Sequence, residues 1–218
     1  MTRTAIVLRP SPGDAQTMAR LAAHDISARA LPLFAVHPVE WSPPEGPFDA
    51  LLITSANAIR HAGAIPALPV VAVGEGSAAA ARAAGFTVAI TGASDGAAVA
   101  EQARAAGFTR LLHLAGRDRI ALPGVTAVTV YHSEARDPPP GALEIARGQV
   151  VLLHSPRAAR LFAALIDRDR VPRATIRIAA LSEAVAQAAG AGWEKISIAE
   201  RPDDARIVSL AAKLAIDR

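Results

Sequence analysis

Cysteine is absent from the 218 residues, which excludes disulfides, a thiolate nucleophile and any zinc site built with sulfur. Histidine is sparse: the six residues show no HxxxH or HExxH spacing, so no metal is expected. Aromatic residues make up 4% of the chain, and Tyr131 is the single tyrosine. Lysine is nearly missing as well, since of 23 basic residues only Lys195 and Lys213 are lysines. The remainder are arginines, whose planar forks suit carboxylates and phosphates. A net charge of +3 without a basic run or basic-aromatic interleaving argues against a nucleic-acid partner. No apolar run approaches the roughly eighteen residues of a membrane span. The opening "MTRTAIVLRP" stops its apolar stretch at Arg9 and Pro10, short of a signal-peptide core. The expectation is a cytoplasmic protein that uses no metal and touches no membrane. No P-loop lysine motif occurs.

Hydrophobic residues, mostly Ala, Val, Leu and Ile, reach 51%, the composition of a globular α/β chain. "TAIVLRP" reads as a buried strand, followed by a helix in "SPGDAQTMARLAAHDI" with Ser11 or Asp14 near its cap. "FDALLITSANAIRHAG" and "LPVVAVGEGSAAAARAAGFTVAI" each pass from strand to helix, and "VTAVTVYHSEAR" is extended. Such alternation predicts parallel sheets covered on both faces.

Prolines concentrate in "HPVEWSPPEGP" and "DPPPG", each after an extended segment, as though one hinge were crossed twice. Residues 41–131 would then form one α/β domain inserted into a discontinuous one made of 1–33 and 142–218. Residues 34–40 and 132–141 would be the connector strands. An internal repeat agrees: "LLITSANAIR" (51–60) returns as "VLLHSPRAAR" (151–160), and "VVAVGEGSAAAARAAGF" returns as "RIAALSEAVAQAAGAGW".

In doubly wound sheets ligands collect beyond the carboxyl ends of strands, where helices begin. Ser55, Gly74, Ser77, Ser155 and Ser182 occupy such turns, whose free N–H groups favour an anion by about 0.3–1 kcal/mol each. The plain reading of any one serine is a helix cap. The set, placed twice by the repeat, points to a ligand with several negative groups. Arg9, Arg117 and Arg119, at strand ends or in the following loop, could pair with carboxylates. Gly74-x-Gly76-x-x-Ala79 is a form of the dinucleotide fingerprint, but Asp95 falls beyond the strand tip where the ribose-binding acid belongs.

"LLITSANAIR", "VAVGEGSAAAARAAGF", "LLHLAGRDR", "VTVYHSEA", "VVLLHSPRAARLF" and "AALSEAVAQAAGAGW" follow one another in the order and spacing of the uroporphyrinogen-III synthase family, which the chain resembles from "IVLRP" almost to its end. The resemblance implies two flavodoxin-like parallel-sheet domains joined by a two-stranded connector, with the active site in the cleft between them. It implies cyclisation of the linear tetrapyrrole hydroxymethylbilane with inversion of the last pyrrole, without metal or cofactor. Two domains joined by two thin strands should share a small interface, which predicts a monomer, and a transient contact with the upstream hydroxymethylbilane synthase is the expected partner interaction.

Tyr131 matches the tyrosine that assists hydroxyl departure in the family. Ser55, Ala56, Asn57, Gly74, Ser77 and Ser155 match turns that hold acetate and propionate groups. Gly116 and Arg117 stand in the loop after "LLHLA" and join the substrate-binding set with Arg9 and Ser182. Glu183 departs from the family pattern, bringing a negative charge to a carboxylate-binding turn. His132, beside Tyr131, should point to the opposite face of an extended strand. Two other classes fit the residues: a catalytically inactive two-lobed binding protein for an anionic small molecule, and a nicotinamide-linked oxidoreductase.

Overall fold

Short, fully apolar runs alternate with alanine-rich amphipathic segments, and the chain folds accordingly into parallel strands wrapped by helices. The computed structural model describes residues 2–92 and 95–216. In chain order the regular elements begin with β1 (Ala5–Val7), α1 (Gly13–Ala22), β2 (Ala28–Ala30) and β3 (Phe34–Pro38). Next come β4 (Ala50–Ile53), α2 (Ala56–His61), β5 (Val70–Val73), α3 (Glu75–Ala83), β6 (Val88–Gly92) and α4 (Gly96–Ala105). β7 (Leu111–Gly116), β8 (Thr126–Ala135), β9 (Val150–Leu153) and α5 (Pro156–Arg168) follow. β10 (Arg177–Ala180), α6 (Glu183–Ala189), β11 (Lys195–Ile198) and α7 (Asp204–Ala215) complete the series.

Two compact units divide the chain: Met1–Ala35 with Ala135–Arg218, and Val36–Glu134. The first holds a sheet in the order β11-β10-β9-β1-β2, parallel throughout. Counted along its own chain this is the order 2-1-3-4-5, one of the two common doubly wound arrangements. The second sheet runs β3-β8-β7-β4-β5-β6, and the ladders from β8 to β6 are all parallel. Counted from β4 its order is 3-2-1-4-5, the other doubly wound arrangement. The sequence-derived fold class, α/β with two parallel sheets, is the observed one.

Alternation along the strands sorts side chains between two cores per sheet. Ile6, Val151 and Ile178 face α5 and α6, while Ala5, Val7, Val150 and Leu152 face α1 and α7. Leu51, Ile53, Leu112 and Leu114 face α2 and α3, whereas Ala50, Leu52 and Leu111 face α4. Both faces of every central strand are therefore dry, which explains why the strands read as unbroken apolar runs.

The cap expected for α1 is different in the structure. Neither Ser11 nor Asp14 caps it: Pro12 holds the N-cap position, with no side-chain cap bond. Polar side-chain caps are present at α2, α4, α5 and α7. Ser55 accepts from the Asn57 N–H, Ser155 from the Ala158 N–H, and Asp203 from the Arg206 N–H. Asp95 accepts from the N–H groups of Ala97 and Ala98, so its carboxylate is spent on α4.

Phe162, fully buried on α5, stacks on Trp193 with ring centroids 5.6 Å apart, and Arg173 lies over the Trp193 ring at 4.8 Å. Truncation of Phe162 empties the centre of that core, so Phe162→Ala should cost about 3–5 kcal/mol. Denaturant titration should show the loss in the transition of the unit that contains α5, with the Val36–Glu134 unit unaffected.

Candidate functional site

In a doubly wound sheet the connections diverge to opposite faces where the strand order reverses, leaving a crevice at the carboxyl ends of two neighbouring strands. In the first unit the reversal lies between β1 and β9, and in the second between β4 and β7. Arg9 follows β1, Ser155 follows β9, Ser55 follows β4, and Gly116 with Arg117 ends β7. Each reversal point is thus flanked by residues that the sequence singled out.

At the β4–β7 reversal, Ser55 caps α2 at 3.2 Å from the Asn57 N–H, and Ala56 is the first helical residue. Asn57 turns its Oδ1 toward Arg60, 3.4 Å away. Just behind this turn, Thr54 Oγ1 and His113 Nε2 lie 2.9 Å apart and bridge the two strands. His113 is only 3% exposed. Burial, aided by the positive charge of Arg119, pushes its pKa down to about 4, so it is neutral at physiological pH.

Gly74 starts α3 with φ of 77°, a left-handed conformation that a side chain would strain, and a Cβ there would meet nothing within 4 Å. The space that a Cβ at Gly74 would fill is therefore open. Ser77, by contrast, is 6% exposed and shares the buried side of α3 with Ala78 and Ala81.

Tyr131 is half-buried in the core beneath α2 and α3. Its ring lies 6.5 Å from that of His61, tilted by 41°. Burial, with the charges of Arg60 and His37, lowers the His61 pKa. The Arg117 N–H donates to the Tyr131 carbonyl at 3.0 Å, while the Arg117 side chain is exposed. Arg119 is anchored: its Nη1 donates to the Gly116 carbonyl at 3.1 Å and to Thr129 Oγ1 at 2.7 Å. His132 stacks on His37 with centroids 5.3 Å apart.

At the β1–β9 reversal the polar groups converge on Asp204, the first residue of α7. Its Oδ1 accepts from Arg9 Nη1 at 2.9 Å and Thr17 Oγ1 at 2.7 Å, and lies 3.1 Å from His154 Nε2. Arg20 bonds to Oδ2. Burial alone would raise the Asp204 pKa, but the hydrogen bonds from His154, Thr17 and Arg20 and the charge of Arg9 outweigh it, holding the carboxyl well below the usual range. For His154 the balance runs the other way. Burial and the Arg9 charge lower its pKa despite the Asp204 bond. The Arg9 guanidinium also occupies the start of α1, where a Cβ on Gly13 would come within 2.5 Å of Arg9 Nε.

Ser155 caps α5 through the Ala158 N–H at 3.1 Å. Ser182 precedes α6 without a side-chain cap bond, and Glu183 beside it is exposed, with Gln187 Nε2 donating to it at 3.3 Å. Sequence reasoning overlooked His61, His113, His154, Thr17 and Asp204. The one local signal was the polar residue inside the apolar strand "LLHLAG"; Asp204, next to the capping Asp203, offered none.

A family model described as uroporphyrinogen-III synthase HemD matches residues 15–209. Among solved structures, uroporphyrinogen-III synthetase from Helicobacter pylori 26695 is similar at 16% identity with a TM-score of 0.68, over 97% of this chain and 99% of that one. A substituted uroporphyrinogen III synthase from the extremely thermophilic bacterium Thermus thermophilus aligns at 13% identity with a TM-score of 0.49, over 97% of this chain and 98% of that one. At 16% identity the likeness to the Helicobacter pylori protein is one of fold. A search of curated proteins finds no match.

The buried His113 makes a pH prediction. Above its ordinary pKa of 6.5 the imidazole is neutral whether the chain is folded or unfolded, so pH has no leverage. Between 6.5 and about 4 the unfolded chain takes up a proton that the folded one refuses, and stability should fall by up to about 3 kcal/mol. Urea titrations across this range should show the loss in the Val36–Glu134 transition, and His113→Gln should remove the His113 share of it, leaving that of His61, whose pKa is also lowered.

Proposed function

The chain belongs to the uroporphyrinogen-III synthase family, and from that premise we propose that it cyclises hydroxymethylbilane to uroporphyrinogen III, with loss of water and inversion of the last pyrrole ring. The observation that carries this reading is the family match, which runs through both units. In reaction terms the enzyme is a lyase. It works in the cytoplasm as a monomer, without a cofactor, and takes its substrate from hydroxymethylbilane synthase by transient contact. The reading treats 34–40 and 132–141 as connector strands between a discontinuous domain (1–33 and 142–218) and an inserted one (41–131).

The chemistry asks little covalent work of the protein. A pyrrole nitrogen pushes electrons toward the hydroxymethyl carbon, the hydroxyl leaves as water after receiving a proton, and a cationic azafulvene remains. The substituted carbon of the last ring attacks it to give a spiro intermediate. Fragmentation and reclosure invert that ring, and a proton is lost as it regains aromaticity. Positioning and one proton donor suffice.

Tyr131 is the donor in this proposal. Its half-buried phenol offers an O–H donor, and the loop after β7 holds its backbone. Neutral His61, with its pKa lowered, adds no competing positive charge beside the cationic intermediate. The acetate and propionate groups of the substrate go to the helix starts and arginines: Ser55, Ala56, Asn57, Gly74, Ser77, Gly116 and Arg117, and Arg9, Ser155 and Ser182. Backbone N–H groups at these turns do most of the holding, because the Ser55 and Ser155 oxygens already accept bonds from their own helices.

Two experiments test this reading. Purified protein given freshly generated hydroxymethylbilane should yield, after oxidation and chromatography, predominantly the type III uroporphyrin isomer. Spontaneous type I alone would leave the inactive binding protein as the better account. Tyr131→Phe should lower kcat by about 10²-fold, the low end of general-acid contributions, with KM little changed. Ser155→Ala should instead cost about 0.5–2 kcal/mol of stability as a lost cap, with kcat maintained, as read by denaturant titration and the same assay.

A further inference from the structure

The β7–β8 ladder is regular from Leu112 opposite Thr126 to Ala115 opposite Thr129, and then Gly116 faces Tyr131. Val130 is the extra residue of a β-bulge. In a regular strand neighbours point to opposite faces, so Val130, buried in the core beneath α2 and α3, would send Tyr131 to the other side. Tyr131 nevertheless packs in the same core. The bulge has re-aimed it, as bulges beside functional sites do.

Turned this way, the phenol comes to rest on Gly116. A Cβ at that position would lie 2.8 Å from Tyr131 Cζ, 2.9 Å from Cε2 and 3.0 Å from the hydroxyl oxygen, all inside van der Waals contact. Gly116 is not among the glycines with positive φ, so its backbone is one that any residue adopts. The need for glycine is therefore steric and comes from Tyr131. Two further bonds fix the backbone on either side of the contact: Arg117 N–H to the Tyr131 carbonyl, 3.0 Å, and Arg119 to the Gly116 carbonyl, 3.1 Å.

We propose that Gly116 is a positioning residue, and that its bare Cα and the bulge at Val130 together form the seat that fixes the Tyr131 phenol. The catalytic consequence rests on the reading of Tyr131 given above; the seat itself does not. A proton donor must stand within hydrogen-bond reach of the leaving oxygen, and displacement by about 1 Å can cost on the order of 10²-fold in rate.

Because Tyr131 is the only tyrosine, ζ-carbon labelling with carbon-13 gives a single resonance that reports its phenol directly. In Gly116→Ala this resonance should shift, kcat should fall by about tenfold or more with KM changed less than about twofold, and the same substitution in a Tyr131→Phe background should leave the residual rate nearly unchanged. An unmoved resonance, or an equal loss of rate in both backgrounds, would overturn the seat. A shifted resonance with unchanged turnover would uphold the seat and remove Tyr131 from catalysis. Stability supplies a check independent of activity: the unfolding cost of Gly116→Ala should vanish when Tyr131 is replaced by Ala. An equal cost in both backgrounds would also overturn the proposal.

Discussion

Parallel strands can be joined only by crossovers, and in each unit that constraint brings the helix starts to one edge of the sheet. Where strand order reverses, successive helices leave for opposite faces and the edge opens. Nearly every polar side chain considered above stands at one of these two openings because the apolar strands leave it nowhere else to go. Buried strands such as Leu51–Ile53 and Val150–Leu153 present no polar group to either face, so function begins where they end.

The openings must also be electrostatically self-consistent before any substrate arrives. At β4–β7 the solution is neutral, a threonine bonded to an imidazole kept unprotonated by burial. At β1–β9 it is ionic: two arginines, a threonine and a histidine share one carboxylate. Removing one partner from such a cluster leaves a partly buried charge without compensation, which generally costs more than the intact pair contributes. Arg9 is thus held in place by Asp204 beforehand. Under the proposed function, a substrate carboxylate reaching Arg9 would not have to order a mobile side chain, but it would share the guanidinium with Asp204 and gain less than the full charge.

The repeat between "LLITS" and "VLLHS" made the two serine turns legible, because local caps depend on residues two or three positions away, and the fold class followed from the strand-helix alternation. The residues backing those turns were not legible. Thr54 finds its partner 59 positions on and His154 finds Asp204 50 positions on, and no local pattern encodes such pairs. Local reading also failed at α1, where Arg9 covers the helix start that Ser11 or Asp14 was expected to cap. Asp95 shows the opposite case: its misplacement for ribose binding was visible in sequence, and its carboxylate caps α4.

Glycine carries two different messages here, and only structure separates them. Gly74 is glycine because its φ of 77° strains any side chain, the kind of demand that turn chemistry can anticipate. Gly13 and Gly116 have no such backbone requirement; each is overlain by a side chain at the carboxyl edge of its sheet, Arg9 in one case and Tyr131 in the other. A glycine of ordinary conformation under a polar side chain fixes that side chain against the main chain, which is stiffer than any neighbouring side chain. On this reading Gly116 supports the group that does chemistry, a role beyond the substrate contact that the sequence suggested. The same steric logic lets two residues as different as arginine and tyrosine be held rigidly by sheets of different strand order.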